Sequence, residues 1–256
     1  MKKYINVGFM AIFTLMTFVL SFSSCSSEDD DIMSEYPPEE KPEVPHYDNL
    51  SYMPGANVQL INKAEYCKSI IADGKELITG NESGVITVPE LKDPKVYITF
   101  KEGITNFSDV FLGCIKLTSV PANLFANHPN ATSFSGAFFG CVSLAAIPEN
   151  LFAKCSEVTT FSTTFHACDA LTSIPENLFA NCPEVTDFDD TFSSCRTLTS
   201  IPEKLFANNP EVISFNATFV ICSTLESIPE KLFANNPKVT DFESTFRFTA
   251  LTSIPE

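Results

Sequence analysis

The chain has 256 residues and a formal net charge of −16 at pH 7, since 32 acidic side chains outnumber 16 basic ones. Nucleic-acid recognition needs clustered lysine and arginine, so this balance argues against a nucleic-acid partner. It favours a soluble surface with strong self-repulsion. Phenylalanine is frequent, with 24 residues, and tryptophan is absent. We therefore predict an apolar core built largely from phenylalanine rings.

The first residues of the chain have the pattern of an export signal. Lys2 and Lys3 precede an almost wholly apolar stretch at residues 5–22. That stretch is long enough to span a membrane, so a retained transmembrane anchor is the alternative interpretation. Small residues before Cys25 and a strongly polar segment directly after it favour cleavage. These features predict a signal peptide at residues 1–24.

Cys25 and its neighbours resemble the lipobox of bacterial lipoproteins. Ser23 and Ser24 precede the cysteine, and Phe22 stands where the lipobox usually has leucine. The resemblance implies that Cys25 is the acylated first residue of the mature chain. The acidic run at residues 26–31 is similar to the surface-export signal of lipoproteins in some Gram-negative anaerobes, and it also fits a solvated linker. We therefore expect a lipid-anchored protein of the outer membrane that faces the cell surface.

Residues 25–46 have the composition of an extended acidic linker. Positions 26–46 carry eight acidic residues, one lysine and four prolines. Proline and like-charge repulsion both extend a chain, and too few apolar residues are present to bury a core. At about 3.1 Å per residue, the segment would raise the following domain by roughly 60 Å.

Residues 47–103 lack the periodicity of the segment that follows. Residues 62–65 predict the start of a helix, and Gly74 predicts its end. Residues 84–88 and 95–100 predict strands. Because the terminal coil of a solenoid needs a cover, we interpret this region as an N-terminal cap with degenerate coils. A separate small binding domain is the alternative.

From about Ile104 onward, the sequence repeats every 27 residues. Two phenylalanine series, a leucine–phenylalanine pair and a cysteine series share this period, and four series in register make chance matching negligible. The cysteines are Cys114, Cys141, Cys168, Cys195 and Cys222. Five units run from Leu117 to Ala250, and the fifth is one residue short. We predict a solenoid at residues 104–256.

Each unit contains local signals for short strands and short helices. Leu-Thr-Ser-Ile predicts a strand, and the following Ser-x-x-Glu, as at Ser173 and Glu176, matches a capping box with proline in the first helical turn. Later prolines such as Pro183 limit the helix. Val-Thr-Asp-Phe predicts a second strand, and Thr-Phe-x-x-Cys predicts a further helical turn. The predicted fold class is therefore an α/β solenoid with two short strands and short helical turns in each coil.

These units resemble the BspA-type leucine-rich repeats of bacterial surface proteins. The resemblance is carried by Phe165-x-x-Cys168-x-x-Leu171-Thr172-Ser173-Ile174-Pro175 and the equivalent residues of the other units. The usual family repeat is a few residues shorter, and the extra length here lies in the Pro-Glu-Asn-Leu-Phe-Ala insertion. Family members are mostly surface or secreted proteins implicated in adhesion, so the resemblance implies a binding function by analogy of fold.

The cysteine series admits three interpretations. Zinc needs four ligands that converge tetrahedrally, whereas this series presents its members in a line. Disulfides are the second interpretation, for which Cys155 and Cys182 form the best candidate pair. We favour the third, in which the cysteines point inward and pack as small apolar side chains.

Histidine gives no clear catalytic signal in this sequence. The three histidines are His46, His128 and His166. His166 lies two residues before Cys168 but occurs in one unit only, and residues two apart on a helix do not face each other. We therefore predict a solvent-facing side chain rather than a cysteine–histidine dyad, and no catalytic residue is assigned.

Acidic residues gather in the third and fifth units. They are Asp187, Asp189, Asp190, Asp241 and Glu243. Calcium binds such oxygens, but the intervening unit has no acid at the equivalent positions. A solvated acidic face is the preferred interpretation, so we predict neither a metal nor a cofactor.

The sequence stops at Glu256, six residues into a new unit. The last coil of a solenoid needs a polar cover, and bare strand edges invite pairing with another chain. The expectation is a truncated form of a longer protein, with an assembly surface as the alternative.

The favoured function is non-catalytic binding of a host protein or glycan at the cell surface. A solenoid presents an extended rigid surface, on which the positions between the core residues vary. These positions include the pairs Thr159-Thr160, Thr186-Asp187, Ile213-Ser214 and Thr240-Asp241. A structural or assembly module of a larger surface complex is the alternative. An enzyme is the third and least favoured possibility, because the sequence shows no catalytic constellation.

Overall fold

The computed structural model describes residues 49–78 and 81–253. The proposed signal peptide, Cys25, the acidic linker and His46 lie outside the described residues. Within the described ranges, no helix has both the length and the apolar character needed to cross a membrane.

The N-terminal part of the described chain consists of antiparallel strands. A five-stranded sheet has the order β4-β3-β6-β1-β7, and β2 pairs separately with β5. One short 3-10 helix, Ala64–Tyr66, precedes β3. The strands are β1 (Leu50–Tyr52), β2 (Gly55–Ile61), β3 (Cys67–Ala72), β4 (Lys75–Glu76), β5 (Ile86–Leu91), β6 (Lys95–Phe100) and β7 (Leu117–Ser119).

The sequence predicted part of this sheet. The strand expected at residues 95–100 is β6, and the strand expected at 84–88 is found slightly later as β5. The prediction of a helix from residue 62 to Gly74 is wrong, because this segment contains only the three-residue 3-10 helix followed by β3. Buried side chains recur along β3 with the spacing of a strand at its C-terminal end. Asp73 and Gly74 both have positive φ, which suits the tight hairpin turn between β3 and β4.

The 27-residue units stack as successive coils. One β-bridge joins the backbone of each coil to that of the next. The N–H of Thr186 donates to the carbonyl of Thr159 one coil earlier (2.9 Å), and the N–H of Phe161 donates to the carbonyl of Asp187 one coil later (3.1 Å). The bridges are parallel and isolated, and they join Asn106, Ser133, Thr160, Asp187, Ser214 and Asp241 in order.

The predicted α/β class is wrong. Residues 49–78 and 81–253 contain seven strands and the single 3-10 helix but no α-helix. The segment after Ser173 was expected to be helical, but it forms separate turns. The N–H of Leu178 donates to the carbonyl of Pro175 (3.3 Å), and the N–H of Cys182 donates to the carbonyl of Phe179 (3.1 Å). A one-turn helix would pay the nucleation cost without propagating. Separate turns let consecutive leucine and phenylalanine side chains both reach the core.

The second expected helical turn fails for a different reason. In Thr-Thr-Phe-x-x-Cys of the second unit, Thr163 (φ 54°) and Ala167 (φ 56°) have left-handed backbone conformations. A right-handed helix cannot accommodate them. The equivalent positions of the first unit are Gly136 and Gly140, which adopt the left-handed region without a Cβ penalty. The prediction of two short strands in each coil is also wrong. In the described part of the repeats, β7 is the one strand, and the other coils have isolated β-bridges.

The predicted phenylalanine core is confirmed. Three rows of rings run along the stack, and each ring lies nearly parallel to its equivalent in the next coil. Phe138 and Phe165 are 5.4 Å apart at 1°, and Phe134 and Phe161 are 5.8 Å apart at 8°. Rings of different rows meet at a tilt, as for Phe152 with Phe161 (4.7 Å, 55°). Side-chain area of this size dominates the energetics of a core.

The N-terminal strands join this core at the first coil. The ring of Phe100, at the end of β6, stacks on Phe125 (6.0 Å, 13°) and meets Phe107 edge-on (5.1 Å, 71°). In addition, β7 belongs to the first repeat and pairs with β1. The sheet and the first coil therefore share one continuous apolar cluster.

Replacing a ring in the stack should be far more damaging than truncating an outward threonine. Phe188 is fully buried between equivalent rings, so Phe188→Ala should lower the free energy of unfolding by about 3–5 kcal/mol. Thr186→Ala removes a partly exposed hydroxyl that donates to the carbonyl of Thr159, and it should cost at most about 1 kcal/mol. Urea unfolding of both variants would measure this. Equal losses would show that the inward and outward assignments are incorrect.

Candidate binding face

One outward face of the stack carries the residues at which neighbouring coils bridge. We call it the bridge face and define it by three rows. The bridge row is Asn106, Ser133, Thr160, Asp187, Ser214 and Asp241. The preceding row is Thr105, Thr132, Thr159, Thr186, Ile213 and Thr240, and the following row is Ser108, Ser135, Ser162, Asp189, Asn216 and Glu243. The sequence-predicted variable pairs are members of the first two rows.

The bridge row is polar because each member closes a local turn. Its side-chain oxygen accepts a hydrogen bond from the N–H two residues later, as in Asp187 Oδ1 to Asp189 (2.7 Å) and Thr160 Oγ1 to Ser162 (3.0 Å). Asparagine, aspartate, serine and threonine all make such turns. The residue type can therefore change from coil to coil while the backbone stays the same.

The preceding row forms a chain of threonine hydroxyls. Thr132, Thr159 and Thr186 each donate to the carbonyl of the equivalent residue one coil earlier, and each of the three distances is 3.2 Å. Ile213 interrupts this row and leaves its side chain 49% exposed. These hydrogen bonds restrain the rotamers of the three threonines, so this part of the face is preorganised.

The chemical character of the bridge face changes along the stack. The first two units present hydroxyl groups on this face. Hydroxyl groups of adjacent coils contact each other, as in Ser108 Oγ to Ser133 Oγ (2.9 Å). The third and fifth units present carboxylates. The face therefore has a neutral hydroxyl half and an acidic half, a division that the sequence showed only as an uneven distribution of acids.

Asp189 lies at the centre of the acidic half. Its carboxylate accepts hydrogen bonds from the Ser214 hydroxyl and from the N–H of Asn216 (3.0 Å). Partial burial raises the pKa of Asp189, and the negative charges of Asp187 and Asp241 raise it further. The two hydrogen bonds lower this pKa, but the net shift is upward. The sequence analysis noted Asp189 but missed its row. The polar residue that stands two positions after each variable pair could have revealed this row.

The acidic half shows no metal geometry. Within residues 49–78 and 81–253, no three histidine, cysteine or acidic side chains converge so that they could hold a metal ion. Ser214 and Asn216 occupy the coil between the acids and consume part of their hydrogen-bonding capacity. What the acidic half offers instead is a row of fixed negative charges for a basic partner.

The cysteine series is buried and unbridged, as the favoured interpretation predicted. The thiol of Cys141 donates to the carbonyl of Phe111 (3.2 Å), and that of Cys195 donates to Phe165 (3.2 Å). Burial raises the pKa of Cys141 and of Cys222 to about 12. Such thiols stay protonated at neutral pH, so they are poor nucleophiles.

Cys155 and Cys182 are also free, so the candidate disulfide is not present in the structure. They belong to a row whose members from Cys155 onward donate to carbonyls of the preceding coil. Cys182 donates to Cys155 (3.3 Å), and Asn209 donates through Nδ2 to Cys182 (2.8 Å) and Phe179 (3.1 Å). We call this the carbonyl-binding row, and its members are His128, Cys155, Cys182, Asn209 and Asn236. Sequence analysis missed its role, although a recurring small donor was visible.

His166 is not the solvent-facing residue that was predicted. Its ring stacks on Phe139 (4.4 Å, 1°), and the side chain is 26% exposed. Nδ1 lies 4.0 Å from a carboxylate oxygen of Asp190. Burial lowers the pKa of His166, although Asp190 opposes this. The thiol of Cys168 donates to the carbonyl of Phe138 (3.4 Å), so it does not form a dyad with His166.

No family model matches the chain, and no curated protein matches it. Among solved structures, a chain of the Drosophila Toll–Spätzle complex, described as a molecular hub in development and innate immunity, matches with a TM-score of 0.32 and 20% identity. The match covers 53% of this chain and 20% of that chain. A likeness of this size carries no argument about fold or function.

The environment of Asp189 predicts a pH-dependent effect of substitution. Because its pKa is raised in the folded chain, the folded state binds more protons than the unfolded state above the ordinary carboxyl pKa of about 3.9. Stability therefore falls as pH rises through the raised pKa, and the carboxylate opposes folding at neutral pH. Asp189→Asn removes this charge and keeps an oxygen that can accept the two hydrogen bonds. The variant should therefore be more stable than the parent chain at pH 7.

This gain should disappear near pH 3, where the parent side chain is protonated in both states. Urea unfolding at the two pH values measures it, with Glu203→Gln as an exposed control that should show no such gain. A loss of stability at pH 7 in Asp189→Asn would contradict the assignment.

Proposed function

We propose that this chain is a non-catalytic binding protein of the bacterial cell surface, whose bridge face recognises a protein partner. The observation that carries the proposal is the bridge face itself. Its three rows run across six successive coils, and hydrogen bonds between coils hold their side chains in place. A preorganised surface loses little side-chain entropy on binding.

The proposed partner is a basic protein surface. The acidic half presents carboxylates from two coils, and the whole chain carries a net charge of −16. Complementary charge steers association and selects among partners. A glycan partner is less favoured, because sugar recognition commonly uses exposed aromatic faces and no residue of the three rows is aromatic.

The chemistry of the described residues supports binding over catalysis. The cysteines are buried and protonated, and His128 and His166 are not paired with a nucleophile. The assignment of the repeats to the BspA type, the acylation of Cys25 and the outer-membrane location belong to this proposal. They are supported by the sequence motifs described above.

A binding screen with matched charge variants tests the proposal. The full chain would be screened against purified host matrix proteins and a glycan array. Asn216→Lys with Glu243→Lys changes the charge of the bridge face by three units. The control, Asn208→Lys with Glu230→Lys, makes the same change at exposed turn positions away from it.

The face variant should weaken binding of the selected protein at least tenfold, and the control should change it by less than about threefold. Most of the loss should appear in the association rate and should shrink at high salt. Equal effects of the two variants, or selection of neutral glycans only, would refute the bridge face as the binding surface.

A further inference from the structure

A cleft lies between the N-terminal sheet and the first repeat. It has a volume of about 580 Å³ and is open to solvent on one side. One wall is β6 with Ile98 and Phe100, and the other is the first turn segment, which contributes Leu124, Asn127 and His128. Lys68 and Glu102 also line the cleft. Their charges are opposite, so a neutral ligand suits the cleft better than an ion.

The first turn segment differs from its equivalents in later coils because no repeat precedes it. Leu124 is only partly buried against the core. In every later coil, the equivalent leucine is covered by the preceding turn and is at most 2% exposed: Leu151, Leu178, Leu205 and Leu232. The cleft therefore leaves open an apolar contact that the chain makes in each subsequent coil.

The polar groups of the first turn show the same difference. His128 belongs to the carbonyl-binding row, and its Nδ1 is buried without a hydrogen-bond partner. In the last coil, the equivalent Asn236 donates to the carbonyls of Phe206 (3.0 Å) and Asn209 (2.9 Å). The Oδ1 atoms of Asn209 and Asn236 are also buried without a partner, so what distinguishes the first turn is the absence of preceding carbonyls for this row to donate to.

Asn127 makes the same point at the rim of the cleft. Its equivalent in the fifth unit, Asn235, donates through Nδ2 to the carbonyl of Ala207 in the preceding turn (3.1 Å). The amide of Asn127 is exposed beside the cleft. The surface of the first turn thus presents the leucine that later coils bury, together with an asparagine amide whose equivalent in the fifth unit donates to the preceding turn.

We propose that this cleft binds an extended peptide segment of a partner protein. A leucine-like side chain of the peptide packs on Leu124, and a backbone carbonyl of the peptide accepts a hydrogen bond from the Asn127 amide. The peptide takes the place that the preceding turn occupies in later coils. Phe100 is 7% exposed, so the cleft has no open aromatic face for a sugar.

The probe is a peptide with the sequence of residues 175–181, Pro-Glu-Asn-Leu-Phe-Ala-Asn, because turns of this sequence fill the equivalent space within the chain. Fluorescence anisotropy of the labelled peptide with the full chain should show saturable binding, with a dissociation constant on the order of 0.1 mM. A peptide with aspartate in place of its leucine should not bind detectably. Absence of saturable binding by the first peptide would overturn the proposal.

Matched substitutions locate the binding. Asn127→Ala should weaken it roughly two- to tenfold, the range expected for one hydrogen bond, whereas Asn181→Ala, at the same repeat position two coils later, should leave it unchanged. His128→Asn introduces the residue type of the later coils at a buried position, so it should retain binding. Equal losses in Asn127→Ala and Asn181→Ala would overturn the assignment.

Two further results would assign the cleft to a different ligand. Self-association of the full chain that Asn127→Ala abolishes would place a second copy in the cleft. Binding of a soluble oligosaccharide that Asn127→Ala weakens would place a glycan there. Each result would contradict the proposal. The bridge-face variant Asn216→Lys with Glu243→Lys should not affect the peptide, so the cleft and the bridge face can fail independently.

Discussion

Stacking of phenylalanine rings between coils is the interaction on which the rest of this structure depends. A single coil of 27 residues cannot cover its own three rings, and each ring is buried by its equivalents in the neighbouring coils together with rings of the other rows. Burial of a side chain of this size contributes about 1.5–3 kcal/mol relative to exposure. Because a coil has little regular secondary structure of its own, this contribution and the hydrogen bonds between coils must offset its conformational entropy.

The spacing imposed by the rings also decides how polar groups are arranged. Buried threonines such as Thr164 donate to a phenylalanine carbonyl of the preceding coil (2.9 Å), as the cysteine thiols do. Such bonds satisfy backbone groups that would otherwise be buried without partners. On the outside, the same repeat distance places equivalent side chains in rows. The bridge face is therefore a consequence of the core geometry, and its chemistry can vary without disturbing the stack.

The first coil shows what happens where the repetition begins. Phe100 replaces the preceding ring of one row, so the apolar stack is complete at this end. The sheet supplies no equivalent of the polar turn, so Leu124 stays partly exposed and Asn127 lies open beside the cleft. The cleft arises from this mismatch between a sheet and a coil, and it could not be recognised from the repeat pattern.

The parts of the structure that the sequence predicted are those that recur with the period of the chain. Phe188 could be placed inside because every unit has phenylalanine there, and Cys195 because four of the five units have cysteine there. The helices were predicted incorrectly because Ser-x-x-Glu with proline is a local signal that short turns also satisfy, while the positive φ of Thr163 is not visible in its residue type. The acidic half of the bridge face was visible as charges, but its hydrogen bonds depend on neighbours 25–27 residues away.

Residue-resolved hydrogen exchange tests the central claim, that each coil is stabilised by its neighbours through the rings and the hydrogen bonds beside them. The N–H groups of Phe161, Phe188 and Phe215 donate across the coil boundary, so they should exchange only through opening of several coils. In Phe188→Ala, protection should fall most at these three amides and less toward the first coil, as nearest-neighbour coupling requires. Rapid exchange of the three amides in the parent chain, or an equal loss of protection in every coil of the variant, would contradict the account.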